Sequence, residues 1–232
     1  MPTFELTPSD AFSPRTRILV EPHEVEARLR DLSPDLTVEL LYNAILGGLG
    51  ARNDTTSASA ITAPGLKQWL ETVEILRSLL AEKRWLIHNP KNCPFVSSAD
   101  SKISVVVMTG DSETGRRGIF DPTNQAEKGI VVEGYVSSNR QLELFNKGAI
   151  TLAQDEQSET QVWAFLYHYD KRLKEVRYEL SYPTGFDRKK ITEWGERIIL
   201  GSIPDDPKAF IVEEVKPNSP VTVEVETKTG TF

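Results

Sequence analysis

Between residues 161 and 182, large side chains recur at every second position on both sides of a short charged turn. Trp163, Phe165, Tyr167 and Tyr169 alternate with Ala164, Leu166 and His168; Val176, Tyr178, Leu180 and Tyr182 alternate with Arg177, Glu179 and Ser181. A period of two is the signature of a pleated strand, so the segment predicts a β-hairpin. With the turn at Lys171–Lys174, Tyr169 faces Val176, Tyr167 faces Tyr178, Phe165 faces Leu180 and Trp163 faces Tyr182. All eight large side chains then share one face. A slip of one residue would set the aromatics against Arg177 and Glu179, which makes the register self-correcting.

A face that apolar must be covered by a second layer. The nearest cover in sequence is 187–199, where Asp187 suits a helix cap and Ile191, Trp194, Ile198 and Ile199 are spaced as a helical stripe, with Gly201 and Pro204 as stop signals. The expected unit is therefore β-β-α. The first ninety residues read as helical. Pro22, Val25, Leu29 and Leu32 predict a helix near 22–31. Ser33 and Pro34 then suit the start of a second helix bearing Val38, Leu41, Tyr42, Ile45, Leu46 and Leu49, which Gly47, Gly48 and Gly50 should dissolve. Residues 52–63, rich in Ser, Thr and Ala, read as a flexible connection. A long helix from about Pro64, with Leu66, Trp69, Leu70, Val73, Leu76, Leu79 and Leu80, should end by His88-Asn89-Pro90 and pair with the preceding helix as an antiparallel hairpin.

From residue 95 the β-branched run Ile103–Met108 predicts a strand buried on both faces, followed by a Gly- and Asp-rich loop over 110–129. Residues 130–135 and 141–145 are ambiguous between helix and strand. Residues 209–215 and 221–228 repeat strand patterns, the latter alternating Val221, Val223 and Val225 with Thr222, Glu224 and Glu226. The expected fold is α+β: an N-terminal helical layer beside a mixed or antiparallel sheet with a C-terminal β-β-α unit. It divides as residues 1–92 and 93–232, or forms one continuous domain.

Composition narrows the function classes. With 39% apolar and 26% charged residues over 232 positions, the chain can build a substantial core, and no apolar run approaches a membrane span. Twenty-seven basic against 34 acidic residues give a net charge of −7, which argues against wholesale binding to a polyanion. Cys93 is the sole cysteine, so no intrachain disulfide forms; with no secretory leader at Met1–Glu5, the expected compartment is the cytoplasm.

Motifs with chemistry are sparse. Gly110-Asp111-Ser112-Glu113-Thr114-Gly115-Arg116-Arg117 has two glycines at phosphate-loop spacing but lacks the following Lys and Ser or Thr, and its carboxylates would repel phosphate. Asp111, Glu113 and Asp121 are candidate ligands for a divalent ion, as are Glu175 and Glu179 on a strand. Glu224-Val225-Glu226-Thr227-Lys228 resembles the acid-x-Lys element of metal-dependent nucleases, which makes Glu226 a further metal candidate. None of His23, His88 and His168 pairs at the i, i+4 spacing of a helical metal site. His168 sits opposite Arg177 and diagonal to Glu179 in the inferred register, so these three are the candidate catalytic residues, weighed against an ordinary wet sheet face. Residues 161–200 hold eight basic and six acidic residues among aromatics, which fits a stacking platform for single strands if the rings are not core. The leading expectation is a non-catalytic intracellular accessory protein with no cofactor, binding a protein partner or a second copy of itself and no membrane. The alternatives are a magnesium-dependent hydrolase or nuclease and a nucleic-acid binder through 161–200.

Overall fold

The computed structural model describes residues 16–127, 129–146 and 160–205, with backbone alone at positions 130, 145 and 146. The elements are, in order, β1 (Arg17–Leu19), α1 (Pro22–Leu32), α2 (Val38–Asn53), α3 (Ala63–Ala81), β2 (Leu86–His88), β3 (Phe95–Ser97), β4 (Ile103–Thr109), α4 (Ile130–Asn146), β5 (Gln161–Asp170), β6 (Glu175–Asp187) and β7 (Lys190–Pro204). The fold is α+β around one mixed sheet of seven strands in the order β1-β7-β6-β5-β4-β3-β2. Pairs β1/β7 and β4/β5 are parallel and the others antiparallel. Helix α4 makes the crossover that a parallel β4/β5 pair requires.

The aromatic hairpin has the register its alternation predicts: Tyr169 opposes Val176, Tyr167 opposes Tyr178 and Phe165 opposes Leu180. Trp163 and Tyr182 meet with ring centroids 5.2 Å apart. Its cover differs from expectation. The core on this face joins Trp163, Phe165, Tyr167, Tyr178 and Leu180 to Val25 and Leu29 of α1, Leu41 and Ile45 of α2, and Val73, Leu76 and Leu80 of α3. The second face packs Val106, Met108, Ala164 and Leu166 against Val132 and Val136 of α4.

Residues 187–199 form no helix. Arg188 (φ 47°) and Lys189 (φ 65°) are both left-handed between the paired residues Asp187 and Lys190, the geometry of a two-residue hairpin turn. Chain direction therefore reverses into β7, and the expected β-β-α unit is three antiparallel strands. Register shifts between Tyr182 and Phe186 interrupt the period of two. Such bulges re-aim side chains, which is why buried Ile191, Trp194 and Ile198 sit at helix-like intervals on a strand.

The second helix also departs from expectation. Ser33 ends α1, its N–H bonded to the Leu29 carbonyl, while Thr37 caps α2 by accepting the Leu40 N–H at 3.1 Å. All three glycines lie inside α2, and at Gly47 and Gly48 the reason is that α3 crosses there. A Cβ on Gly48 would stand 2.0 Å from Thr72 Oγ1 and 2.8 Å from the Gln68 carbonyl, so only a bare backbone fits. Contacts pairing Gly48 with Thr72 and Arg52 with Gln68 run in opposite directions, confirming an antiparallel helical hairpin. Helix α3 stops at Ala81, and Leu86–His88 form edge strand β2 where a helix end was expected. Residues 130–146 are one helix. The strand patterns at 209–215 and 221–228 lie outside the described residues.

Candidate functional site

Sheet register brings His168, Arg177 and Glu179 together on the second face: His168 opposes Arg177, and Glu179 opposes Leu166. This face is not wet. Glu179 and Arg197 are both 0% exposed and Arg177 is 4% exposed. Arg197 donates to the Glu179 carboxylate at 3.0 and 2.7 Å and to Asp121 at 3.0 Å. Glu179 also accepts from the Gly115 N–H at 2.8 Å and from the Ser181 hydroxyl at 2.8 Å. Arg177 donates to the carbonyls of Thr114 and Ser112, and pairs with Asp170 and Glu175 at 3.0 Å. The Arg177 guanidinium, helped by backbone donors at the turn, holds the Asp170 carboxyl well below the usual carboxylate range. His168 Nδ1 lies 3.1 Å from the Gly110 carbonyl. These side chains fasten the 110–127 loop to the sheet.

Other residues secure the same loop. The Asn124 side chain accepts the Ile191 N–H at 2.8 Å and donates to the carbonyls of Lys189 and Ala126, while Trp194 Nε1 donates to Pro122. The expected metal candidates serve the loop too. Asp111 accepts the Glu113 N–H at 3.1 Å in a local turn, and Glu113 makes only a 3.5 Å contact with the Ser112 hydroxyl. Glu226 lies outside the described residues. Among the described residues no group of three His, Cys, Asp or Glu is placed to hold a metal ion. His23 is exposed on α1, and His88 Nε2 lies 2.6 Å from Ser97 Oγ, itself 2.6 Å from Ser104 Oγ; this relay cross-links β2, β3 and β4.

A different place has the form of a binding site. The carboxyl ends of the parallel strands β4 and β5 face the junction between α2 and α3, leaving a groove of about 610 Å³. Its wall is formed by Arg52 from the last turn of α2, Gln68 and Trp69 of α3, and Tyr167, His168 and Tyr169 of β5. The rim includes Ile61, Leu66 and Lys171. Ligand sites in sheets with parallel strands favour this carboxyl end, and the volume falls in the range of ~300–1,000 Å³ usual for small-molecule pockets.

Two side chains in this wall are buried without full satisfaction. Gln68 is 1% and Tyr167 2% exposed, yet the Gln68 Nε2 and the Tyr167 hydroxyl have no hydrogen-bond partner among the described residues. Gln68 Oε1 receives only a 3.4 Å contact from Arg52. Burial pushes the Tyr167 hydroxyl's pKa far up, so it stays protonated. The Arg52 guanidinium lies 3.6 Å from the Tyr169 ring centroid, and the Tyr169 hydroxyl donates to Asp205 at 2.6 Å. Burial first, then the Asp205 carboxylate, raises the Tyr169 pKa. Trp69 Nε1 donates to the Val107 carbonyl at 3.2 Å, which fixes the indole against β4.

Sequence reasoning singled out His168, which lines this groove, but grouped it with Arg177 and Glu179, and it named the 161–200 aromatics only as an alternative stacking platform; Arg52, Gln68 and Trp69 were not singled out as a site. Tyr167 and Tyr169 belong to the predicted aromatic row, and Gln68 and Trp69 to the predicted helix, but nothing local shows that the ends of two elements meet. The one available signal is the position of Arg52 at the head of the Ser- and Thr-rich 52–63 connection. The chain matches no protein-family model, no curated protein and no solved structure.

Proposed function

We propose that this chain is a non-catalytic binding protein that takes a small ring-containing ligand in the groove between the α2–α3 hairpin and the carboxyl ends of β4 and β5. The observation that supports this most strongly is the pair of orphaned polar atoms in its wall. A buried donor without a partner costs about 1–3 kcal/mol, and such a cost is expected to persist where function requires it. The half-buried rings of Trp69 and Tyr169 give a ligand apolar surface, and Gln68, Thr109 and Gln125 give it polar partners. The carboxylate that a metal-dependent hydrolase would need from β6, Glu179, is held by Arg197, which favours binding over hydrolysis.

The test is a fluorescence titration of the full chain with Nile red, a neutral planar dye. Saturable binding is expected, and it should be lost in Gln125→Trp, which places a bulky ring from the exposed loop into the groove. Absence of binding, or binding indifferent to that substitution, contradicts the reading. The premise has its own check: Gln68→Leu and Tyr167→Phe should each leave the chain as stable as before or more so by about 1 kcal/mol in urea unfolding. A loss of stability in both would mean that the two polar atoms are satisfied in the free protein.

A further inference from the structure

We propose that the ligand of this groove is a nucleoside monophosphate, its phosphate held at the start of α3 by Arg52 and Lys171; this rests on the groove being a ligand site. The electrostatics set the anionic end. The chain as a whole has a net charge of −7, yet the groove lining contains Arg52, Lys171 and His168 and no Asp or Glu. Among the described residues neither Arg52 nor Lys171 has a carboxylate within ion-pair distance; the nearby Asp205 instead accepts from Tyr169 and Asn53.

Helix α3 adds to this field. Thr62, Pro64, Gly65 and Leu66 at its start line the same groove. Thr62 makes no side-chain cap bond, and the first turn holds no acidic residue. A helix start carries the equivalent of roughly half a positive charge; here Pro64 has no N–H and the Ala63 and Leu66 N–H groups are bonded to the Ala60 and Thr62 carbonyls, so Gly65 is the first-turn backbone donor left for a ligand. Two full cations and this partial charge suit the two negative charges of a phosphate monoester better than the single charge of a carboxylate.

The rest of the groove sets the other end. Half-buried Trp69, and the face of Tyr169 away from Arg52, supply ring surface on which any base can stack. The Gln68 amide nitrogen and the Tyr167 hydroxyl are the independent sign that a polar ligand is missing from this wall: of the four buried side-chain polar atoms with no hydrogen-bond partner among the described residues, two belong to it. A base edge offers the acceptors they lack. Inorganic phosphate alone would leave both unsatisfied, and a purely apolar ring would leave the cations without a partner.

The experiment is calorimetric titration of the full chain with the four ribonucleoside 5′-monophosphates, the matching nucleosides and inorganic phosphate. At least one monophosphate should bind, at least tenfold tighter than its nucleoside and than inorganic phosphate. Lys171→Gln, at an exposed turn position where folding is not at stake, should weaken it about tenfold, and Arg52→Gln about 10–100-fold, as expected for charge-assisted hydrogen bonds. Equal binding of nucleoside and nucleotide, binding of phosphate alone, indifference to Lys171→Gln, or no binding by any of the four overturns the proposal. Nile red binding blocked by Gln125→Trp, in the absence of nucleotide binding, would leave the groove standing and remove only its ligand assignment.

Discussion

Glu179 and Arg197 face each other with no exposure to water, so each depends on the other to offset the loss of hydration. Pairing alone is not the whole compensation: Glu179 also accepts from Gly115 and Ser181, and Arg197 also donates to Asp121 and the Arg116 carbonyl. Removing one partner leaves a buried charge uncompensated. Glu179→Ala should therefore cost about 3–5 kcal/mol in denaturant unfolding, and amide exchange should show the 110–127 loop losing protection first. The converse case lies on the other face of the sheet. Gln68 and Tyr167 hold polar atoms with no partner among the described residues, and there the apolar replacements Leu and Phe should not hurt. Opposite signs at these two places would separate polar groups that build the fold from polar groups kept for a ligand.

At the scale of elements, the α2–α3 crossing and the β5–β6 hairpin position the groove. Gly48→Ala should destabilise by about 1–3 kcal/mol, because its new methyl meets a backbone carbonyl as well as the Thr72 hydroxyl and cannot be relieved by a rotamer change alone. Phe165→Ala, at 0% exposure in the sheet core, should cost about 3–5 kcal/mol, read from the urea midpoint at constant slope. The hairpin was legible in the sequence because each of its residues obeys one local rule, alternation. β7 was not, because bulges between Tyr182 and Phe186 break that alternation and the Arg188–Lys189 turn uses two left-handed residues without glycine. The glycines of α2 read as a helix end for a similar reason: what Gly47 and Gly48 accommodate is Ile75 in the one case and Thr72 and Gln68 in the other, residues of α3 far away in sequence. The polar row Arg177, Glu179 and Ser181 was legible as a row. That it is roofed by the 110–127 loop depends on long-range packing that no pattern within β6 records.

At the scale of the whole molecule, the sheet is covered on both faces, and its tyrosines report on the integrity of that cover. Burial raises the pKa of Tyr167 and Tyr182 strongly and pushes Tyr178 up to about 12. A tyrosine whose folded pKa exceeds its unfolded value of roughly 10 binds its proton more tightly in the native state. Stability is thus unaffected below pH 10 by these groups and falls as pH rises from 10 toward 12. Absorbance at 295 nm should show the buried tyrosines ionising only together with loss of far-ultraviolet dichroism. Ionisation of all six tyrosines before any unfolding would contradict the buried packing.

The groove itself is tested most directly by the indole signals of the chain's four tryptophans in a ¹⁵N–¹H correlation spectrum, followed while ribonucleoside monophosphates are added. Trp69 lines the groove, whereas Trp85, Trp163 and Trp194 lie elsewhere with 4%, 1% and 2% exposure. The expected result is a saturable shift of the Trp69 indole with the other three unmoved; a spectrum unchanged at saturating nucleotide, or a shift confined to any of the other three, would contradict a ligand site between α3 and the carboxyl ends of β4 and β5.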